Sequence, residues 1–254
     1  MADSPTRVRR HSLLRRCLAA LLALVIVAGI ALVAWTQIGV MGPEAGPLER
    51  VEHDERIGVS QTSAAYAMRP VDERGTAVGL VFYPGAKVDP RSYAARLAGL
   101  VTQQHMTVVI ARPWLGMALF DRRGLDAFTS AAPEVRAWIV GGHSLGGVRA
   151  CQSAEDAQAL LLFGSYCAND LSGSSLPVTS LAGSDDGLST PQKIAEHRPN
   201  LPAGAVMTQI EGANHASFGD YGHQRGDGEA TIADAAMDTA VVQAASQLAG
   251  RVRG

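Results

Sequence analysis

The sequence predicts an α/β fold: a mostly parallel central sheet flanked by helices, behind one N-terminal membrane-spanning helix. Three observations carry that expectation. From about residue 55 onward, short apolar runs alternate with helix-compatible stretches, the pattern of βαβ units. One run, Ala137–Gly141, leads directly into a serine bracketed by glycines. Far upstream, Leu18–Trp35 is apolar and carries no charge.

The elements follow in order. Ile57–Ser60 and Ala64–Met68 are extended segments expected to form an antiparallel edge. Ala77–Tyr83 is a buried strand. Asp89-Pro90 then reads as an N-cap with proline at the first helical position, opening a helix through Tyr93–Ala98. Thr107–Ala111 is β-branched and forms the next strand; a short helix is expected over 125–131. After the Ala137–Gly141 strand, Val148–Ala154 is helical. Ala159–Phe163, Val178–Ala182 and Val206–Ile210 are further strands, and Ala230–Leu248 is a long Ala-rich helix. The short connection between Gly164 and Val178 leaves no room for a large lid, which implies an open site.

The 254 residues divide into a basic N-terminus (1–16), a membrane span (17–38), a linker (39–54) and one domain (55–254). Met41-Gly42-Pro43-Glu44-Ala45-Gly46-Pro47 marks the linker, because glycine and proline break both helix and strand. The span nearly crosses a hydrocarbon core of ~30 Å. Arg7, Arg9, Arg10, Arg15 and Arg16 precede it, so the positive-inside rule puts the N-terminus in the cytoplasm and the domain outside. Cleavage as a signal peptide, releasing a secreted domain, is the alternative. With a formal net charge of −2 and no basic stripe on the domain, nucleic-acid binding is not expected. Cys151 and Cys167 lie in the domain and are able to pair in an oxidising compartment; the other reading is two small buried side chains.

The chemistry concentrates in three loops. Ser144 sits in Gly142-His143-Ser144-Leu145-Gly146, between a strand and a helix, the setting of a sharp turn that exposes a nucleophilic hydroxyl. A serine hydroxyl needs a base within hydrogen-bond reach, and that base needs an orienting acid. His215 follows the last strand in a glycine-bounded loop and is the candidate base. Asp185 and Asp186, in Gly183-Ser184-Asp185-Asp186-Gly187, are the candidate acids. A tetrahedral oxyanion needs two donors. The Leu145 N–H is one; the loop Pro84-Gly85-Ala86-Lys87 supplies the other, with Ala86 favoured because Pro84 lacks an N–H. Asp220, His223 and Asp227 near His215 match no metal-ligand spacing, so a hydrogen-bonded loop is expected there and neither metal nor cofactor is invoked. Trp114, Leu115, Phe120 and Phe218 are candidate acyl-site residues, although core or loop packing is the role expected of them.

These segments resemble the α/β-hydrolase superfamily, and within it the bacterial fold-5 group. The residues that carry the likeness are Phe82–Pro90, Gly142–Gly147, Gly183–Leu188 and Asn214–Gly222, and the match covers about residues 55 to 250. The resemblance implies a single α/β-hydrolase domain. It places the acid directly before the glycine and so selects Asp186, giving a Ser144–Asp186–His215 triad. The expected activity is that of a serine hydrolase acting on a small-molecule ester or related acyl substrate. Acyl transfer, amide cleavage and a non-catalytic binding module at the membrane are the alternatives.

Overall fold

The computed structural model describes residues 5–72, 77–130 and 132–252. The chain forms two compact units, Met1–Gly39 and Val40–Gly254. The first is a single helix, α1 (Pro5–Gln37), whose Leu14–Gln37 stretch is long and apolar enough to cross a membrane. Its apolar side chains, Leu21, Val25 and Ile30 among them, are exposed.

The second unit opens with α2 (Ala45–Glu52). Here the structure corrects the expected linker: Val51 is buried, Met41 bridges to Val88, and the Glu44 N–H donates to the Asp220 carbonyl at 2.8 Å. Pro47 does not break this helix. It lies in the first turn, where N–H groups have no intrahelical acceptor to lose.

Eight strands follow: β1 (Ile57–Gln61), β2 (Ala65–Pro70), β3 (Val78–Tyr83), β4 (Thr107–Ala111), β5 (Ala137–His143), β6 (Ala159–Phe163), β7 (Val178–Gly183) and β8 (Val206–Ile210). They form one sheet in the order β1-β2-β4-β3-β5-β6-β7-β8. β2 runs antiparallel to both its neighbours, and every pairing from β4 to β8 is parallel. The early segments thus form the antiparallel edge the sequence suggested.

Strand periodicity sorts the core into two faces. Leu80 and Phe82 of β3 share one face with Ile110, Ile139, Leu161 and Phe163. Val81 and Tyr83 share the other with Val109, Val140, Leu160 and Leu162. The first face is covered by α3 (Ala94–Thr102) and by α7 (Asp234–Gly250), through Leu97, Leu100, Val241 and Leu248. The second is covered by α4 (Asp126–Thr129) and α5 (Leu145–Gln152), through Phe128, Ala150 and Cys151. A short α6 (Pro191–Glu196) follows β7.

Several boundaries differ from the expected ones. The helix foreseen from Val148 begins at Leu145. The Ala-rich helix begins at Asp234, because Thr231 and Ile232 both donate their N–H groups to the Gly212 carbonyl. Of the helix expected over 125–131, Asp126–Thr129 is helical and Ala131 lies outside the described residues. The connection 164–177 holds no helix or strand.

Candidate active site

The strand order fixes where a site should form. After β3 the chain steps outward to β4, then crosses back over β3 to lay down β5 and continue the other way. The switch point therefore lies between β3 and β5, at the carboxyl ends of the strands, where open α/β sheets bind ligands. The loop after β3 and the turn holding Ser144 both occupy this place.

Ser144 adopts φ 54° and ψ −125°, a conformation that costs an L-residue about 1–3 kcal/mol and must be held by its surroundings. Its N–H donates to the Phe163 carbonyl at 3.1 Å, and its carbonyl accepts from Ser165 Oγ at 2.7 Å. The flanking glycines permit the turn. A side chain at Gly142 would strike the Gly146 backbone, and one at Gly146 would strike the Tyr83 and Pro84 carbonyl oxygens. The bare Gly146 lets the start of α5 approach the end of β3.

The acid turn and the histidine loop meet beyond β6. The His215 Nδ1–H donates to Asp186 Oδ2 at 2.8 Å, and both side chains are almost wholly buried. Asp186 Oδ1 accepts from the N–H groups of Leu188 (2.9 Å) and Ser189 (2.6 Å). These bonds assign the proton to Nδ1 and leave Nε2 as the basic nitrogen. Asp185 is exposed, and among the described residues its side chain accepts from the adjacent Ser184 Oγ. Gly164, at the end of β6, sits beside the pair: a Cβ there would lie 3.0 Å from Asp186 Oδ2 and 3.3 Å from His215 Nδ1. Its neighbours Phe163 and Ser165 are the two residues that hold Ser144, so the three candidates flank one strand end.

Most N–H groups of the candidate oxyanion loop have protein acceptors. Pro84 has no N–H. Gly85 donates to the Tyr93 hydroxyl at 2.9 Å, Lys87 to the Gly116 carbonyl at 2.8 Å, and Val88 to the Gly85 carbonyl at 3.3 Å. Among the described residues, Ala86 is left as the loop's donor without a protein acceptor. Leu145, first residue of α5, likewise has no intrahelical acceptor for its N–H.

His143 is buried beside His215, ring centroids 4.3 Å apart. Burial, with the neighbouring imidazole, holds its pKa well below the ordinary histidine range, so it stays neutral. Phe218 belongs to the core, stacked on Phe163 at 5.5 Å, and does not line the surface around Ser144. Trp114, Phe120 and Leu145 are exposed. The segment carrying Ala118–Phe120 packs against α5. Cys151 and Cys167 are bonded, Cα atoms 5.5 Å apart, which ties α5 to the segment following Ser165.

Asp227, in the stretch where a hydrogen-bonded loop was expected, organises the histidine loop. Oδ1 accepts from the N–H groups of His215 (3.0 Å) and Gly187 (3.1 Å), and Oδ2 from Ala216 (2.8 Å). One side chain thereby joins the acid turn to the base. Asn214 and Ser217 close the loop reciprocally: the Ser217 N–H donates to Asn214 Oδ1 at 2.9 Å, and the Asn214 N–H to Ser217 Oγ at 3.1 Å. Asp220 is committed elsewhere, to Arg96 at 3.1 Å. Both Asp220 and Asp227 thus serve as hydrogen-bond acceptors.

The comparisons agree with this architecture. Among solved structures, TT1662 from Thermus thermophilus superposes with a TM-score of 0.54 at 13% identity, covering 78% of this chain and 98% of that one. A dienelactone hydrolase-like promiscuous phosphotriesterase from metagenomic libraries gives 0.56 at 16%, covering 76% and 99%. The esterase rPPE, in a single-residue mutant form, gives 0.57 at 13%, covering 82% and 88%. None of the curated proteins matches the chain in sequence. The profile of the alpha/beta hydrolase family matches residues 79–239, which run from the second residue of β3 through β8 and include all three candidate loops. The chain belongs to the alpha/beta hydrolase family.

Proposed function

We propose that the protein is a serine hydrolase of carboxylic esters. The observation that carries this reading is the buried His215–Asp186 hydrogen bond at 2.8 Å, set beside a serine in a strained strand-to-helix turn. Ser144 Oγ attacks the ester carbonyl carbon while its proton passes to His215 Nε2. Asp186 keeps the imidazole oriented and stabilises the imidazolium. The tetrahedral oxyanion receives the Leu145 and Ala86 N–H groups. His215 then returns the proton to the departing alcohol, leaving an acyl-enzyme. A water deprotonated by the same histidine releases the carboxylic acid and restores Ser144.

The exposed Trp114 and Phe120 support an apolar rim for the acyl portion, since their segment packs on α5 and Gly116 is bonded to the oxyanion loop. We further propose that α1 anchors the domain on the outer side of a membrane. The basic residues ahead of the span and the Cys151–Cys167 bond, which an oxidising compartment maintains, support that topology.

Hydrolysis of nitrophenyl esters from acetate to longer acyl chains tests the reaction. Wild type is expected to turn over, and Ser144→Ala to lose at least about 10³-fold in kcat/KM. Equal rates for the two proteins would remove serine catalysis from the account.

A further inference from the structure

Behind the oxyanion loop lies a buried group that the reaction sequence above does not use. Tyr93 ends the turn Pro90–Tyr93 that leads into α3, and it is fully buried. Its hydroxyl oxygen accepts the Gly85 N–H at 2.9 Å. The same hydroxyl lies 2.9 Å from His143 Nδ1. A phenol has one proton to give; with its oxygen already receiving Gly85, that proton goes to His143 Nδ1. His143 is the residue immediately before Ser144 and the last of β5. One hydroxyl therefore connects the loop after β3 to the strand that delivers the nucleophile.

We infer that Tyr93 is a positioning residue for the oxyanion hole, acting through Gly85 and His143 to set the distance between the Ala86 and Leu145 donors. This rests on the esterase reading above and deepens it. The geometry leaves little slack: a Cβ at Gly85 would lie 3.1 Å from His143 Nδ1 and 3.2 Å from the Tyr93 oxygen. The tyrosine ring is itself wedged against Phe82, centroids 5.1 Å apart, and Tyr221, 6.3 Å apart. The Gly85 and Ala86 N–H groups belong to consecutive peptides, so holding the first restrains the second. Withdrawal of the hydroxyl frees the loop without removing any group that touches substrate.

A misplaced oxyanion donor weakens transition-state binding more than ground-state binding. Tyr93→Phe keeps the ring and deletes the link. The test measures kcat and KM on a nitrophenyl acetate substrate, together with inhibition by a trifluoromethyl ketone, whose serine adduct carries an oxyanion. We expect kcat to fall about 10–100-fold, the inhibitor to weaken by a similar factor, and KM to change less than about threefold. A folded Tyr93→Phe protein with kcat and inhibition within twofold of wild type would overturn the inference. So would a loss confined to KM.

Should Tyr93→Phe not fold, His143 supplies the same test from the other end. His143→Asn keeps an acceptor close to the Nδ1 position, and His143→Leu does not. Asn is expected to retain at least about tenfold more kcat than Leu. Equal kcat in the two would reject the link. A wild-type enzyme that hydrolyses no ester and binds no trifluoromethyl ketone would end the esterase reading itself, and the inference with it.

Discussion

At Ser144 the backbone stores strain, and its neighbours hold the residue there through paired bonds to Phe163 and Ser165. The proposed acid is distinguished from its neighbour by environment. Asp186 is buried and accepts three hydrogen bonds, one of them from His215, while Asp185 faces solvent. Asp186→Asn should therefore lower kcat by roughly 10⁴-fold, the magnitude seen when such an acid no longer fixes the imidazole tautomer. Asp185→Asn should stay within a few-fold of wild type, and steady-state kinetics on the two variants would separate them. Asp227 acts one step further back, holding the His215 and Gly187 N–H groups. Asp227→Ala leaves those donors unpaired and is expected to cost about 1–3 kcal/mol of stability, together with a fall in kcat, readable by denaturant melts and kinetics.

Between elements, two devices hold the site's scaffold. The first is Arg96 of α3, buried and bonded to Asp220 after the histidine loop and to Asp234 and Asp238 of α7. Burial pushes the Asp220 carboxyl from 3.8 up to about 6, the surrounding acids adding to the rise and Arg96 opposing it. The folded state then holds a proton that the unfolded state has already released, so the contribution of this carboxyl to stability falls as pH rises from about 4 to 6. Asp220→Asn removes that dependence: the Tm of the variant relative to wild type should climb between about pH 4 and pH 7. Parallel Tm curves across this range would contradict the assignment. The second device is the Cys151–Cys167 bond, closing a loop of 16 residues. Replacing both cysteines by alanine should lower stability by about 2–4 kcal/mol. Wild type treated with reductant should match the variant.

Elements whose sequence pattern matches their environment could be read in advance. The strands were legible because β3, β4 and β6 are buried along their whole lengths, so each reads as a short run of apolar and β-branched residues. The serine turn was legible because its glycines answer steric demands set within a few residues. By contrast, α2 was hidden by Gly46 and Pro47, which suggest a break although the first helical turn tolerates them. Arg96 and Tyr93 were illegible for another reason. Their hydrogen bonds reach groups 8 to 142 positions away and leave no periodic trace.

For the whole molecule, the sheet order concentrates chemistry at one edge. Parallel β5, β6 and β7 present their carboxyl ends together, and the crossover over β3 opens the crevice into which Ser144 and the oxyanion loop project. An apolar helix in a separate unit precedes this domain, and we propose that it confines hydrolysis to a membrane surface. Membrane fractions treated with external protease should lose the domain while the basic N-terminus stays protected. Recovery of the intact chain in the soluble fraction would oppose an anchor. The central claim is that Ser144 is activated by His215 across the end of β6. Its most direct test is mass mapping after exposure to a fluorophosphonate. The account predicts a single adduct on the peptide containing Ser144, formed by wild type and suppressed in His215→Ala. An adduct that forms equally well without the imidazole, or that maps to another residue, would contradict it.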